Sequence, residues 1–336
     1  TNDIYNKLIG KKQMAITKKV IVEKIEVVGS WNIQIAQDTV ITEGNTEIGR
    51  SRHRHVLQPF TSSKDSDDKW THTDTDISAE ATEVQAVANA VWTDTVNSQI
   101  GRKNIIINGA MQVAQRSASV TGLGAASGYF TLDRFKMEIN SASAGRFTMS
   151  QSAVTDLDGF SNALKIDCTT ADTSIAAGEV LIIRQHIEGL NCQQLKASST
   201  STNAFTLSFY AKSNANRVIA SEIRMTEGTN IHASKVHTIG TSWARYTMTI
   251  PAASSTEIDN DNTLAMQINF IIHGGATFTG GTIAGTTLTT LTQANRAAGI
   301  GSIFASTDNT LEITGLQLEV GSQATPFEHR SFGEEL

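Results

Sequence analysis

Two histidines one residue apart, His53 and His55, are the sharpest candidates for metal chemistry in this sequence. On a β-strand, residues i and i+2 project to the same face, so the pair can offer two imidazoles to one ion. No third ligand is evident, and Arg52 and Arg54 on the opposite face suit solvent or carboxylates. A pair of structural histidines is the plainer reading. A second candidate is the oxygen-rich run Asp259-Asn260-Asp261-Asn262, preceded by Glu257, with Asp259 and Asp261 as carboxylate ligands for Ca²⁺. It lacks the spacing and the bidentate glutamate of an EF-hand loop, and an acidic turn opening a strand explains it equally well. A structural Ca²⁺ or transition-metal ion at one of these places is the only cofactor the residues suggest.

Catalytic constellations are thin. Glu188 and Glu319 are the carboxylates that glycoside hydrolysis would need, yet each closes an alternating strand, where a solvated charge belongs. His273-Gly274-Gly275 has the form of an oxyanion-hole turn, but no GxSxG elbow accompanies it, and Walker and GxGxxG loops are missing too. The chain is expected not to be an enzyme. Asp133 and Arg134, just after Tyr129-Phe130, read either as a ligand-binding pair or as an ion pair fixing a strand entry.

Aromatic side chains are the natural platforms for a sugar ring. Trp31, Trp92 and Trp243 fall where strand or helix patterning points to a core, and Trp70 lies in a polar loop. Tyr129, Tyr210 and Phe278 remain as carbohydrate-binding candidates. Phe278, inside the Gly/Thr-rich stretch 274–301, looks hardest to bury.

These residues must be positioned by a chain of 336 residues with 39% hydrophobic and 18% charged content. That charge content is low for a globular protein, and Thr, Ser, Asn and Gly fill the deficit. With a net charge of −6 the whole surface is not suited to phosphates, and nucleic acid is not an expected partner. No apolar run reaches the roughly 18 residues that span a bilayer, so membrane insertion is not expected. Cys168 and Cys192 are the only cysteines and read as small buried hydrophobes.

Three alternating runs open the chain, over 19–28, 31–41 and 47–57, separated by Gly/Asn turns as in an antiparallel meander. A polar loop over 61–78 follows. A helix is then predicted over 79–99, with Ser78 as N-cap and Val84, Val87, Ala88 and Val91 as its apolar stripe. Three strands and one helix make a small α+β module over 14–100, after an N-terminal extension over 1–13. From 101 to 336 the pattern is β. Short runs at 134–139, 146–151, 162–169, 181–187, 205–211, 218–225, 243–250, 265–272 and 311–318 predict a two-sheet antiparallel sandwich. The stretch 274–301 reads as a long loop or irregular hairpin.

Several segments of the larger domain, taken together and in order, resemble a jelly-roll family of bacteriophage virion proteins. They include Asn104-Ile105-Ile106-Ile107-Asn108-Gly109-Ala110-Met111, Phe130-Thr131-Leu132-Asp133-Arg134-Phe135, Ala171-Asp172-Thr173-Ser174, Gln185-His186-Ile187-Glu188-Gly189-Leu190, Thr206-Leu207-Ser208-Phe209-Tyr210-Ala211 and Gly315-Leu316-Gln317-Leu318-Glu319. Ser51-Arg52-His53-Arg54-His55-Val56-Leu57-Gln58-Pro59 is similar to short phage proteins that end in a helix. The resemblance implies a carbohydrate-binding-module-like sandwich on a tail fibre or head fibre, attached through the N-terminal module to other virion proteins. It implies a homotrimer, in which His-x-His pairs from three chains would surround one metal ion, and a host-surface glycan as ligand. The alternative is a purely structural head-decoration or tail-adaptor protein making only protein contacts.

Overall fold

The computed structural model describes residues 15–28, 31–64, 70–92, 103–141, 143–254 and 256–336. The expected extension over 1–13 and the last residues of the expected helix, 93–99, lie outside them. The chain forms two compact units, Thr1–Gly101 and Arg102–Leu336.

In the first unit, β1 (Ile16–Val28), β2 (Asn32–Glu43) and β3 (Thr46–Leu57) form an antiparallel sheet in that order. Alternation puts Ile33 and Ile35 of β2 on one face, where α1 (Thr82–Val91) lays Val84 and Ala88, a helical turn apart, against them. Val22, Ile25 and Leu57 pack around this small core. The helix begins at Thr82, with Ala81 rather than Ser78 at its N-cap position. The Ser78 N–H donates to the Asp76 carboxylate at 2.9 Å, and the Glu80 N–H bonds to the Ile77 carbonyl, so these residues form a turn instead of a cap. The expected polar loop contains a hairpin, β4 (Phe60–Lys64) with β5 (Trp70–Asp74). Trp31, expected in the core, is 40% exposed because it sits at the β1–β2 turn with φ +60°.

The second unit runs β6 (Ser119–Leu123), β7 (Phe135–Asn140), β8 (Arg146–Ala153), β9 (Asn162–Thr170), β10 (Val180–Glu188), β11 (Lys196–Ser198) and β12 (Ser201–Thr202). It continues through β13 (Phe205–Ser213), β14 (Arg217–Met225), β15 (Ile231–Ile239), β16 (Ala244–Ile250), β17 (Ala253–Ser254) and β18 (Leu264–Gly274). After the short α2 (Ala276–Thr279) come β19 (Gly285–Thr290), β20 (Thr310–Val320) and α3 (Phe332–Glu335). Two antiparallel six-stranded sheets result, in the orders β19-β15-β14-β18-β10-β7 and β16-β13-β20-β9-β8-β6. Their inward side chains interdigitate as one core: Leu181, Ile223 and Phe270 from one sheet meet Phe147, Leu207 and Leu318 from the other. This is the expected jelly-roll-like sandwich, and all nine predicted runs lie on observed strands. Of the two large sheets, β6, β15 and β19 lie outside the predicted runs; in β15, Ile231, Ala233, Val236 and Ile239 alternate too weakly among His, Ser and Thr.

Residues 274–301 are not an open loop. They carry α2 and β19 and fold onto the outer face of the first of these sheets. Phe278, at 5% exposure, packs there with Val180, Ile182, Ala220, Ile271 and Ala297. β10 is consequently buried on both faces over most of its length. The cover is tied down by Arg296, whose guanidinium donates twice to Glu222 at 2.7 and 2.8 Å. Glu222 is fully buried and also contacts His232 Nδ1 at 2.9 Å and accepts from Asn269 Nδ2 at 2.8 Å. Burial alone would raise its pKa, but hydrogen bonds from His232 and Arg296 more than reverse that and bring it down to about 2.

Glu319 overturns another expectation. It is fully buried rather than solvated, because the segment after β20 crosses over it. Its carboxylate accepts the Thr325 N–H at 2.9 Å, the Thr325 hydroxyl at 2.5 Å and Gln317 Nε2 at 2.7 Å.

Candidate functional site

The start of β7, the end of β10 and the opening segment of the second unit converge on one groove. Asn108 shapes its near wall. The Asn108 amide donates to the carbonyls of Val113 and Asp133 at 2.9 and 3.0 Å, and the Val113 N–H returns a bond to Asn108 Oδ1. With the Asp133 carbonyl held, the next residue, Arg134, takes φ +72° and is exposed. A non-glycine residue in that region is uncommon and costs on the order of 1 kcal/mol or more. Tyr129 is presented beside it by a two-way backbone bridge between Gly128 and Met137. Gln185 fixes the opposite wall by bonding both the N–H and the carbonyl of Ile107.

Two hollows of about 270 Å³ each flank a much smaller one that shares lining residues with both. Tyr129, His186, Glu188 and Asn262 line one, and Ile107, Asn191, Gln194 and Arg330 line the other. Arg134 lines all three. Tyr129 is 39% exposed with the Arg116 guanidinium 5.4 Å from its ring centre. His186 has an Nε2 without a hydrogen-bond partner, and burial, helped by Arg184 and Lys136, holds its pKa below the usual value. It is neutral at neutral pH and can donate or accept. An exposed ring flanked by amides, an imidazole, a carboxylate and a guanidinium can stack on a pyranose face and bond its hydroxyls.

The expected ion pair between Asp133 and Arg134 is not formed. Asp133 instead accepts from Arg116 and from the Gln115 N–H, each at 3.2 Å, and Arg134 is left without a hydrogen bond or ion pair to any described residue. Of the three aromatic candidates, only Tyr129 lies in the groove. Tyr210 is half-buried in a ring cluster, 5.3 Å from Phe160, which in turn contacts Phe327 and His329. Phe278 is sealed under the 274–301 cover and cannot serve as a platform.

His53 and His55 do share a face, with rings stacked 5.4 Å apart, but His55 Nε2 lies 3.2 Å from both carboxylate oxygens of Glu80. Asp261 closes its own turn by accepting the Thr263 N–H and hydroxyl, and the Asp259 N–H donates to Glu227 at 2.6 Å. Among the described residues no group of three or more His, Cys, Asp or Glu side chains is arranged to hold a metal ion. Glu188 and Glu319 are not brought together, since Glu188 lines the groove while Glu319 lies buried on the other sheet. A close Ser221–His237 pair, 2.8 Å apart, is enclosed in the core, and burial pushes His237 down to about 4. Both cysteines are free and buried. Among the described residues no helix is long and apolar enough to cross a membrane.

Sequence reasoning named Asn262 only in the acidic run and His186 only in a family segment, and it did not single out Asn191, Gln194 or Arg330. These five residues come from four separate stretches and carry no shared spacing, so only the fold assembles them.

No protein-family model matches the chain, and no curated protein matches it. Among solved structures, the chain is similar to the enzymatically active domain of tailspike protein 4 of bacteriophage CBA120, with 14% identity and a TM-score of 0.31. That match covers 65% of this chain and 21% of the other, so this chain spans about a fifth of its length. It is also similar to the family 11 carbohydrate-binding module of the cellulosomal cellulase Lic26A-Cel5E of Clostridium thermocellum (12% identity, 65% of this chain, 96% of the other, TM-score 0.29). A third likeness is to the N-terminal cellulose-binding domain of Cellulomonas fimi β-1,4-glucanase C (12% identity, 55% and 90% covered, TM-score 0.28).

Proposed function

We propose that this chain is a non-enzymatic bacteriophage virion protein, a tail fibre or head fibre, that presents its sandwich to bind a glycan on the host surface. The observation that carries the binding role is the groove at the end of β10. There an exposed tyrosine stands beside side chains able to bond sugar hydroxyls. The virion role rests on the ordered segments between residues 104 and 319 that resemble phage jelly-roll proteins. The structural likenesses, with TM-scores near 0.3, add nothing to it.

In this reading the first unit attaches the chain to other virion proteins or to copies of itself. Its support is the exposure of large apolar side chains on a small sheet: Ile16 at 68%, and Val20, Ile48 and Val56 each at 54%. Apolar groups in that number on so small a core suit a protein contact. A homotrimer follows the same logic, because weak sugar contacts gain strongly when several sites act together. The same exposed residues fit the second reading, a structural adaptor whose groove stays empty.

A glycan array probed with the full chain and with Tyr129→Ala separates the two. Binding that falls by about tenfold in the variant supports the proposal. An array on which the wild-type chain binds nothing, together with normal virion incorporation of Tyr129→Ala, would assign the structural role.

A further inference from the structure

The opening segment of the second unit, residues 103–108, borders the groove and lies in no strand, so its backbone groups need partners from elsewhere. Residues 328–335 supply several of them. Glu328 accepts the N–H groups of Lys103 and Asn104, Arg330 donates to the carbonyls of Asn104 and Ile106, and Glu335 accepts the Asn108 N–H. Glu335 is 3% exposed and is the one buried residue of α3. The apolar side chains of the same turn, Phe332 and Leu336, are 54% and 57% exposed. Apolar burial therefore does not hold this turn down. The bonds of Glu334 to the Ser331 N–H and hydroxyl close the turn on itself, whereas the buried bond from Asn108 to Glu335 joins it to the groove wall.

Asn108 passes that fixed position on. Its side chain holds the Val113 N–H and the carbonyls of Val113 and Asp133, and Arg134 follows directly. The Asn108 carbonyl in turn accepts the Met111 N–H at 3.0 Å. Asn108, Met111 and Arg134 take φ of +60°, +58° and +72°, so three non-glycine residues around one side chain occupy the left-handed region. Such conformations persist only where the surroundings over-determine them, and they gather at ligand sites. Here the surroundings are the hydrogen bonds of Asn108, whose own N–H is held by Glu335.

We infer that Glu335 is a positioning residue for the groove. Docked on Asn108, it holds the near wall that presents Arg134, although it lines none of the three hollows itself. What it contributes is a hydrogen-bond acceptor. The inference rests on the groove being the binding site and adds which remote group keeps that site in shape.

Hydrogen exchange of the full chain, followed residue by residue without any ligand, tests the coupling. The reporters are the Val113 N–H, bonded to Asn108 Oδ1, and the Asp133 N–H, bonded to the Val113 carbonyl. In Glu335→Ala both should exchange about tenfold faster or more, while the amides of β14 and β18 keep their wild-type rates. Glu335→Gln, which keeps an oxygen that accepts, should exchange as the wild type does. Asn108→Gly tolerates the positive φ and keeps the N–H for Glu335 but has no side-chain amide. There Val113 and Asp133 should exchange faster while the Glu334 N–H, bonded to the Ser331 carbonyl, does not. Unchanged exchange at Asp133 in either Glu335→Ala or Asn108→Gly overturns the inference. So does a rise shared by β14 and β18, which would make Glu335 a support of the whole sandwich, or fast exchange in Glu335→Gln, which would make charge the requirement. On the glycan array, Glu335→Ala should weaken the signals of the wild-type chain about tenfold and Glu335→Gln should not; signals kept in Glu335→Ala also overturn it. An array on which the wild-type chain binds nothing fails the glycan reading alone, and exchange still decides the coupling.

Discussion

Replacing Glu222 by Gln should unfold the 274–301 cover at far lower denaturant than the wild-type chain requires. Glu222 has no exposed surface, and its carboxylate answers three neighbours: Arg296 through two bonds, His232 and Asn269. The Arg296 side chain is itself only 4% exposed. Glutamine keeps the shape but removes the charge, leaving a buried guanidinium without its counter-ion. Breaking such a pair from one side costs about 3–5 kcal/mol. The pKa leads to a similar magnitude. A fall from 4.5 to about 2 corresponds to roughly 3 kcal/mol of stability, taking about 1.4 kcal/mol per unit. The folded-state value lies below the unfolded one, so this stabilisation is complete above about pH 4.5 and disappears as pH falls through about 2. Urea unfolding followed by circular dichroism at pH 7 and at pH 3 measures both effects. Glu222→Gln should lower stability strongly at pH 7, with the gap to wild type narrowing at pH 3. A loss under about 1 kcal/mol at pH 7, or a gap that does not change with pH, would refute the assignment of this network as the clamp on the cover. The double variant Glu222→Met with Arg296→Met should recover part of the loss, since it removes the uncompensated guanidinium while the buried His232 and Asn269 still lose their acceptor.

Two further outcomes follow from packing. Gly315 has φ +59°, and a Cβ there would come within 2.7 Å of the Phe160 ring and 2.8 Å of the Tyr210 ring. Gly315→Ala should therefore cost about 2 kcal/mol or more in the same unfolding assay, through strain in both backbone and ring cluster. Cys192 is fully buried, and burial, with Glu227 adding to it, pushes its thiol up to about 12. A thiol reagent at pH 8 should label neither cysteine in the native chain and both in denaturant. Rapid labelling of Cys192 under native conditions would contradict its placement.

Much of the architecture was legible because its determinants are local. Ile33 and Ile35, two apart, must face one way on a strand, and Val84 and Ala88, four apart, one way on a helix. That alternation predicted the three-stranded sheet, its helix and the nine sandwich strands. The helix start was misread because Ser78, a good cap by type, was taken by the Asp76 turn. β15 was missed because the polar His232 and Ser234 flank Ala233 and are buried with it, His232 against Glu222 of the neighbouring strand.

The site was less legible, for a physical reason. Chemistry at a groove depends on which side chains remain unpaired after folding, and pairing is decided across distances the sequence does not express. Tyr129 and Arg134 stood out by type and position, but only the tertiary structure gave Asp133 to Arg116 and left Arg134 without a partner among the described residues. Phe278 and Glu319 are the same lesson in reverse. By type and local pattern one looked exposed and the other solvated, and each is buried because a distant segment folds across it. Local sequence determined the sandwich and its strands, through the period of its apolar residues. The tertiary structure decided which polar and aromatic groups meet solvent, because that depends on what the rest of the chain covers.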